Sequence, residues 1–324
     1  MYAFLVYISD MNEDIKFTGR KYSETELSSY RETIRKENEK GVIRIDGEDE
    51  KTPEENEYVI MANTIIDVWC KKMGVPFEST PAERIHFLSP EVSKTYLADQ
   101  KTVGQYSHRF DWIIIRKNSD MRPAELLSVL VHEMLHRLHM ASSTWHVSDD
   151  GGFSKSRSGY NLHSPWREDI PRLKGLDEIV IVHCQRNILE MAQDFIDEQL
   201  HIPPSEWASP DNYQYKKHLP ILKAIIDGVS VKSPASEFSS FEKVVRGQFG
   251  KTLLNLKDVD YVFGARSIRI LSYLMAFEGT EGEEIDDLIH AYFLEQSDSK
   301  RKEIGAEITF RAKQVSLKEG LVLR

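Results

Sequence analysis

The sequence predicts an α+β fold with a mostly helical C-terminal domain, and three observations predict it. Short β-branched and aromatic runs suited to strands occur only in the first half of the chain: residues 1–8, RIHFL at 84–88, FDWIIIRK at 110–117 and a hairpin through Phe153 to Leu162. Segments with helical start and stop signals stand between and after them. Beyond residue 205 the patterns are helical only, which divides the chain into an α+β domain at 1–205 and a helical domain at 206–324.

In chain order, Ser23 to Lys40 carries charges at i,i+4 spacing and predicts a solvated helix that Gly41 ends as a C-cap. Thr52-Pro-Glu-Glu combines an N-cap, a proline in the first turn and early acids. It opens a helix that carries Tyr58, Ile60, Met61, Ile65, Ile66 and Trp69 before Gly74 and so has a core-facing side. Turn chemistry at Asn118–Pro123 then starts a helix reaching about Met140. Residues 141–175, with Gly151, Gly152, Gly159, Pro165 and Pro171, read as a long loop of the functional kind. Leu176–Leu200 reads as one continuous helix. Further helical patterns cover His218–Asp227, Phe238–Phe249, Val259–Met275 and Glu284–Leu294, followed by a charged tail.

Composition narrows the function. With 40% hydrophobic and 29% charged residues the chain is neither disordered nor fibrous. Its apolar runs are shorter than the roughly 18 residues of a membrane span, so no membrane association is expected. The first residues, MYAFLVYISD, lack a basic stretch before the apolar one, which predicts a cytoplasmic protein. A net charge of −10 disfavours nucleic acid as a partner. Two cysteines, Cys70 and Cys184, are too few for a disulfide framework or a thiolate zinc site, so a bound metal would use His, Asp or Glu. No GxSxG, P-loop or GxGxxG occurs to support serine chemistry or nucleotide binding.

One motif carries chemistry. The helix after Pro123 contains Val131-His132-Glu133-Met134-Leu135-His136, an HExxH. Positions four apart share a helix face, so both imidazoles can converge on one cation with Glu133 beside it. The apolar residues around the motif, Val129 to Leu138, predict a buried, rigid helix, where two imidazoles need partners that a cation would supply. A catalytic zinc takes three protein ligands and keeps one position open. His139 lies about 10 Å beyond His132 along the axis, too far to share its ion. Asp177, Glu178 and Glu190 on the second long helix, and His146 in the loop, are candidates for the third ligand.

The HExxH with a downstream acidic helix resembles the zincin metallopeptidases, specifically the gluzincin group, over roughly residues 80–200. The resemblance implies Zn²⁺ held by His132, His136 and Glu178, with Glu133 as general base and a peptide or protein as substrate. It also implies that the strand Asp111–Arg116 is an edge strand pairing with extended peptide. The chain departs from the pattern at Arg137, where zincin helices usually carry an uncharged residue, and at Val182, where thermolysin-like enzymes place an Asp. Tyr160 and His163, in the loop between the two ligand helices, are the candidate oxyanion donors. Trp112, Trp145 and Trp166 are expected to pack, and Cys184 to act as a small buried hydrophobe. The same scaffold could serve as a binding or regulatory module, or hydrolyse a non-peptide amide.

Overall fold

In the computed structural model the described residues are 16–18, 23–97, 102–107, 110–118, 121–139, 144–147, 153–158, 160–162, 173–201, 215–249, 256–277, 282 and 284–318. The predominance of helix with small sheets makes the fold α+β. The chain divides into two units: one of Met1–Ile15, Lys21–Ala141 and Cys184–Asn212, the other of Lys16–Arg20, Ser142–His183 and Tyr213–Arg324. The expected division at 205/206 lies close to the change of unit after Asn212, whereas residues 142–183 group with the C-terminal residues. The strand expected at residues 1–8 lies outside the described residues.

The chain opens, among the described residues, with strand β1 (Lys16–Thr18) of the second unit. The first unit begins with helix α1 (Glu24–Glu39), started by a capping box between Ser23 and Glu26 and burying only Ile34. Its end differs from expectation. Lys40 and Gly41 continue in a 3₁₀ turn, and Gly41 does not take the left-handed conformation of a C-cap. A glycine is required there because a Cβ would stand 1.8 Å from the Phe110 carbonyl oxygen. Helix α2 (Pro53–Met73) has the expected ends, with a Thr52/Glu55 capping box, Pro53 in the first turn and Gly74 left-handed at φ 67°, but Ile60, expected among its apolar residues, is exposed.

Strands β2 (Ile85–Leu88), β3 (Gly104–Ser107) and β4 (Trp112–Arg116) form a sheet in the order β2-β4-β3, with a short helix α3 (Pro90–Ser93) after β2. β4 pairs in parallel with β2 and antiparallel with β3, so it is the central strand and not the edge strand expected for residues 111–116. Its buried run Ile113–Ile114–Ile115 suits a strand covered on both faces. Helix α4 (Pro123–Leu138) packs on β3, β4 and α2, burying Leu127, Leu130, Val131, Met134 and Leu135. Trp112 packs against His86, Tyr96 and Phe110, as expected of a core aromatic.

The second unit contains a sheet ordered β1-β5-β6-β7, with β5 (Thr144–Val147), β6 (Phe153–Ser158) and β7 (Asn161–Leu162). β6 and β7 make the expected hairpin, while β5 lies in the segment read as loop. Helix α5 (Lys174–Leu200) is unbroken, its residues up to His183 counted with the second unit and those from Cys184 with the first. Then come α6 (Leu219–Lys232), α7 (Phe241–Phe249), α8 (Lys257–Phe263), α9 (Ser267–Leu271), α10 (Glu284–Leu294) and α11 (Asp298–Lys318). The single helix expected over Val259–Met275 is broken. Gly264 at φ 104° ends α8, Arg266 sits at φ 80°, and the Asp260 carboxylate accepts the Ile268 N–H at 2.9 Å to start α9. Among the described residues no helix is long and apolar enough to cross a membrane.

Candidate metal centre

The site begins with α4. Its apolar face points into the first unit, which leaves His132 and His136, one turn apart, half-buried on the same side. Their rings lie 4.7 Å apart and their Nε2 atoms 3.1 Å apart. Two imidazole nitrogens at this distance call for a shared proton or a shared cation. A tetrahedral zinc with bonds of 2.0–2.1 Å sets its ligand nitrogens about 3.3–3.4 Å apart, close to that separation.

The orientation of His132 is set from behind by Gln185 on α5. The Gln185 amide nitrogen donates to the Ser128 carbonyl at 2.7 Å and hydroxyl at 2.9 Å. Its oxygen therefore faces His132 Nδ1, at 3.3 Å. That pairing assigns the proton to Nδ1 and leaves the lone pair on Nε2. A ligating imidazole needs this tautomer, and an acceptor on its far nitrogen is the usual device that secures it.

Glu133 is buried beside the histidines. Its Oε2 accepts the Tyr106 N–H of β3 at 2.7 Å. β3 comes this close because Gly104 carries no side chain: a Cβ there would stand 2.5 Å from Val129 Cγ1 and 3.1 Å from Glu133 Oε1. Beneath this layer, Arg137 Nε and Nη2 reach Asp111 at 3.1 and 3.3 Å, and Nη2 also reaches Glu78 at 3.3 Å. Arg84 and the Tyr106 hydroxyl, both at 3.1 Å, complete the shell around Asp111. Burial opposes the Arg137 charge, but Asp111 and Glu78 outweigh it and raise its pKa. Burial, reinforced by Asp111, pushes the Tyr106 phenol well up, so it stays a neutral donor. The charge at 137 that departs from the zincin pattern is thus a buried anchor for the motif helix.

Glu178, the candidate for the third ligand, stands in the first turns of α5. Glu178 lies seven residues before Gln185, about 10 Å along the axis and within about 20° of the same face. Glu178 is half-buried, as are His132 and His136, which suits a site that must admit water. Asp177, the candidate before it, is buried, and its Oδ1 already accepts the Tyr160 N–H at 2.9 Å and the Gln248 amide at 2.7 Å. Glu190, the other candidate on this helix, is exposed and paired with Arg186 at 2.5 Å.

Of the two expected oxyanion donors, Tyr160 lies among the described residues. Tyr160 is fully buried, and its hydroxyl donates to the Val244 carbonyl at 2.8 Å, so it serves the packing of the second unit. His163 and Trp166 lie outside the described residues, as do the side chains of His146 and Trp145. His183 meets the Phe241 ring edge-on at 4.0 Å. Cys184 is fully buried, with burial pushing its thiol well up, which makes it a small hydrophobe. Gln185, Ser128 and Tyr106 are the site residues that sequence reasoning missed; only the seven-residue spacing of Gln185 from Glu178 hinted at one of them. No family profile, curated protein or solved structure matches this chain.

Proposed function

We propose that the chain is a zinc-dependent metallopeptidase, zincin-like over roughly residues 80–200, with His132, His136 and Glu178 as metal ligands and Glu133 as general base. The observation that carries this reading is the pair of imidazoles on one side of α4, their Nε2 atoms 3.1 Å apart, with the Glu133 carboxylate held beside them. The donor set, two nitrogens and an oxygen with one imidazole backed by an acceptor, fits zinc.

When bound, zinc supplies a Lewis acid that polarises the scissile carbonyl and makes a water acidic. The residues of the chain manage the proton. With Oε2 fixed by Tyr106 N–H, the Glu133 carboxylate takes the proton of the attacking water and returns it to the leaving amine. Gln185 keeps His132 in one tautomer and one orientation throughout. The peptide-pairing role expected of the central strand passes to β3, the edge strand beside Glu133.

Elemental analysis of protein purified without added metal tests the reading. One zinc per wild-type chain is expected, lost in both His136→Ala and Glu178→Ala. Loss in His136→Ala alone would move the third ligand to Asp177 or His146. No zinc even after reconstitution would overturn the proposal in favour of a non-catalytic module. Zinc with cleavage of small amides but of no member of a peptide library would change the substrate class.

A further inference from the structure

We propose that the second unit binds a nucleoside phosphate in a cavity of about 650 Å³ formed by residues of α8–α11 and the end of α6. The volume falls in the range of small-molecule sites. Its lining carries four cations, Lys232, Arg266, Lys302 and Lys313, against one carboxylate, Asp298. That carboxylate is already neutralised by Arg301 at 2.8 Å. Lys232 donates to the Val262 carbonyl at 3.2 Å, and among the described residues no carboxylate pairs with Arg266, Lys302 or Lys313. In a chain of net charge −10, unpaired cations gathered around one cavity mark a place for an anion.

The arrangement also accounts for an aromatic body on that anion. Lys302, Ala306, Phe310 and Lys313 lie on one face of α11, with the lysines about 16 Å apart along the axis. Ala306 leaves room between them, and Phe310 is 56% exposed. Tyr261, 71% exposed, contributes a second aromatic ring. Large apolar rings left open beside unpaired cations offer a stacking surface for a base and charge for its phosphates. The floor is closed at Gly305, where a Cβ would meet Ile270 and Tyr292 at 3.1 Å. Arg266 is delivered by the loop between α8 and α9 in a left-handed conformation that a non-glycine residue adopts at a cost. No glycine-rich phosphate loop takes part, so recognition here rests on side-chain charge and stacking.

Calorimetry on the full chain with ADP, adenosine and pyrophosphate tests this, with Lys302→Gln, Lys313→Gln and Phe310→Ala as variants at exposed positions and thermal melts to confirm folding. ADP is expected to bind saturably at one site, roughly tenfold more weakly in each lysine variant and about fivefold more weakly in Phe310→Ala. Adenosine and pyrophosphate, each with half of the recognised groups, should bind at least about tenfold more weakly than ADP. Absence of ADP binding at millimolar concentration, or ADP binding that the three variants leave unchanged, would overturn the proposal. Pyrophosphate binding as tightly as ADP would also overturn it, leaving a plain anion site. None of these readouts depends on the metal centre.

Discussion

Glu133 receives its hydrogen bond from a backbone amide, and this makes its substitution unusually informative. In Glu133→Gln the amide oxygen can still accept the Tyr106 N–H, so the fold and the proposed ligands stay as they are while the proposed base is lost. Steady-state kinetics on a cleaved peptide should show kcat lower by about 10²–10⁴-fold with zinc content unchanged; full activity would remove Glu133 from the mechanism. Gln185→Leu acts one layer out. It strips the acceptor from His132 Nδ1 and frees the Ser128 carbonyl, so zinc affinity measured by chelator competition should fall about 10–100-fold while the HExxH itself is intact. His132, Glu133 and His136 were legible in the sequence because one helical turn fixes their relation. Gln185 and Tyr106 were not, because each reaches the motif from a distant element and neither is of a ligating type.

At the scale of elements, the legible pieces are those whose signals are local. α2 announced itself through Thr52, Pro53, Glu55 and Gly74, and α4 through Pro123 and its apolar spacing. β3 did not: Gly104, Gln105 and Ser107 have no strand pattern, and the segment is extended because β4 pairs with it. The break between α8 and α9 was missed for a related reason, since apolar spacing continues across Gly264 while its backbone does not. What locks β3 and α4 together is the charge cluster around Asp111, itself left-handed at φ 50°. Asp111→Asn is the cleanest probe, because asparagine accepts that conformation while removing the charge and one of the two acceptor oxygens. It leaves Arg84 and Arg137 buried against a neutral amide, so urea denaturation should show a loss of about 3–5 kcal/mol. A loss below about 1 kcal/mol would show the cluster to be unimportant for stability.

For the molecule as a whole, the second unit should make stability depend on pH in a window set by paired histidines. His218 is 1% exposed; its Nδ1 lies 2.8 Å from His290 Nε2, and its Nε2 lies 3.8 Å from Asp286. Burial, with His290 and Lys217 adding to it, pushes His218 from 6.5 down to about 4. Burial also lowers His290, against the pull of Asp287. The unfolded chain therefore takes up a proton at His218 near pH 6.5, whereas the folded chain resists it until about pH 4. The neutral imidazole's contribution is complete above about pH 6.5 and is lost as pH falls towards 4, a change of order 3 kcal/mol at most. Glu48 acts lower on the scale: burial would raise its carboxyl, but the hydrogen bond and charge of His86, with the Ile45 N–H and Lys51, hold it below 4.5. Its contribution is present above 4.5 and lost only below that value, so the region between pH 6.5 and 4.5 reports on the histidines. Urea midpoints measured across that region should fall with pH in the wild type and flatten in His218→Gln, which starts lower at pH 7.5 because the amide fills the buried place less well. An unchanged slope in His218→Gln would assign the pH dependence to other groups.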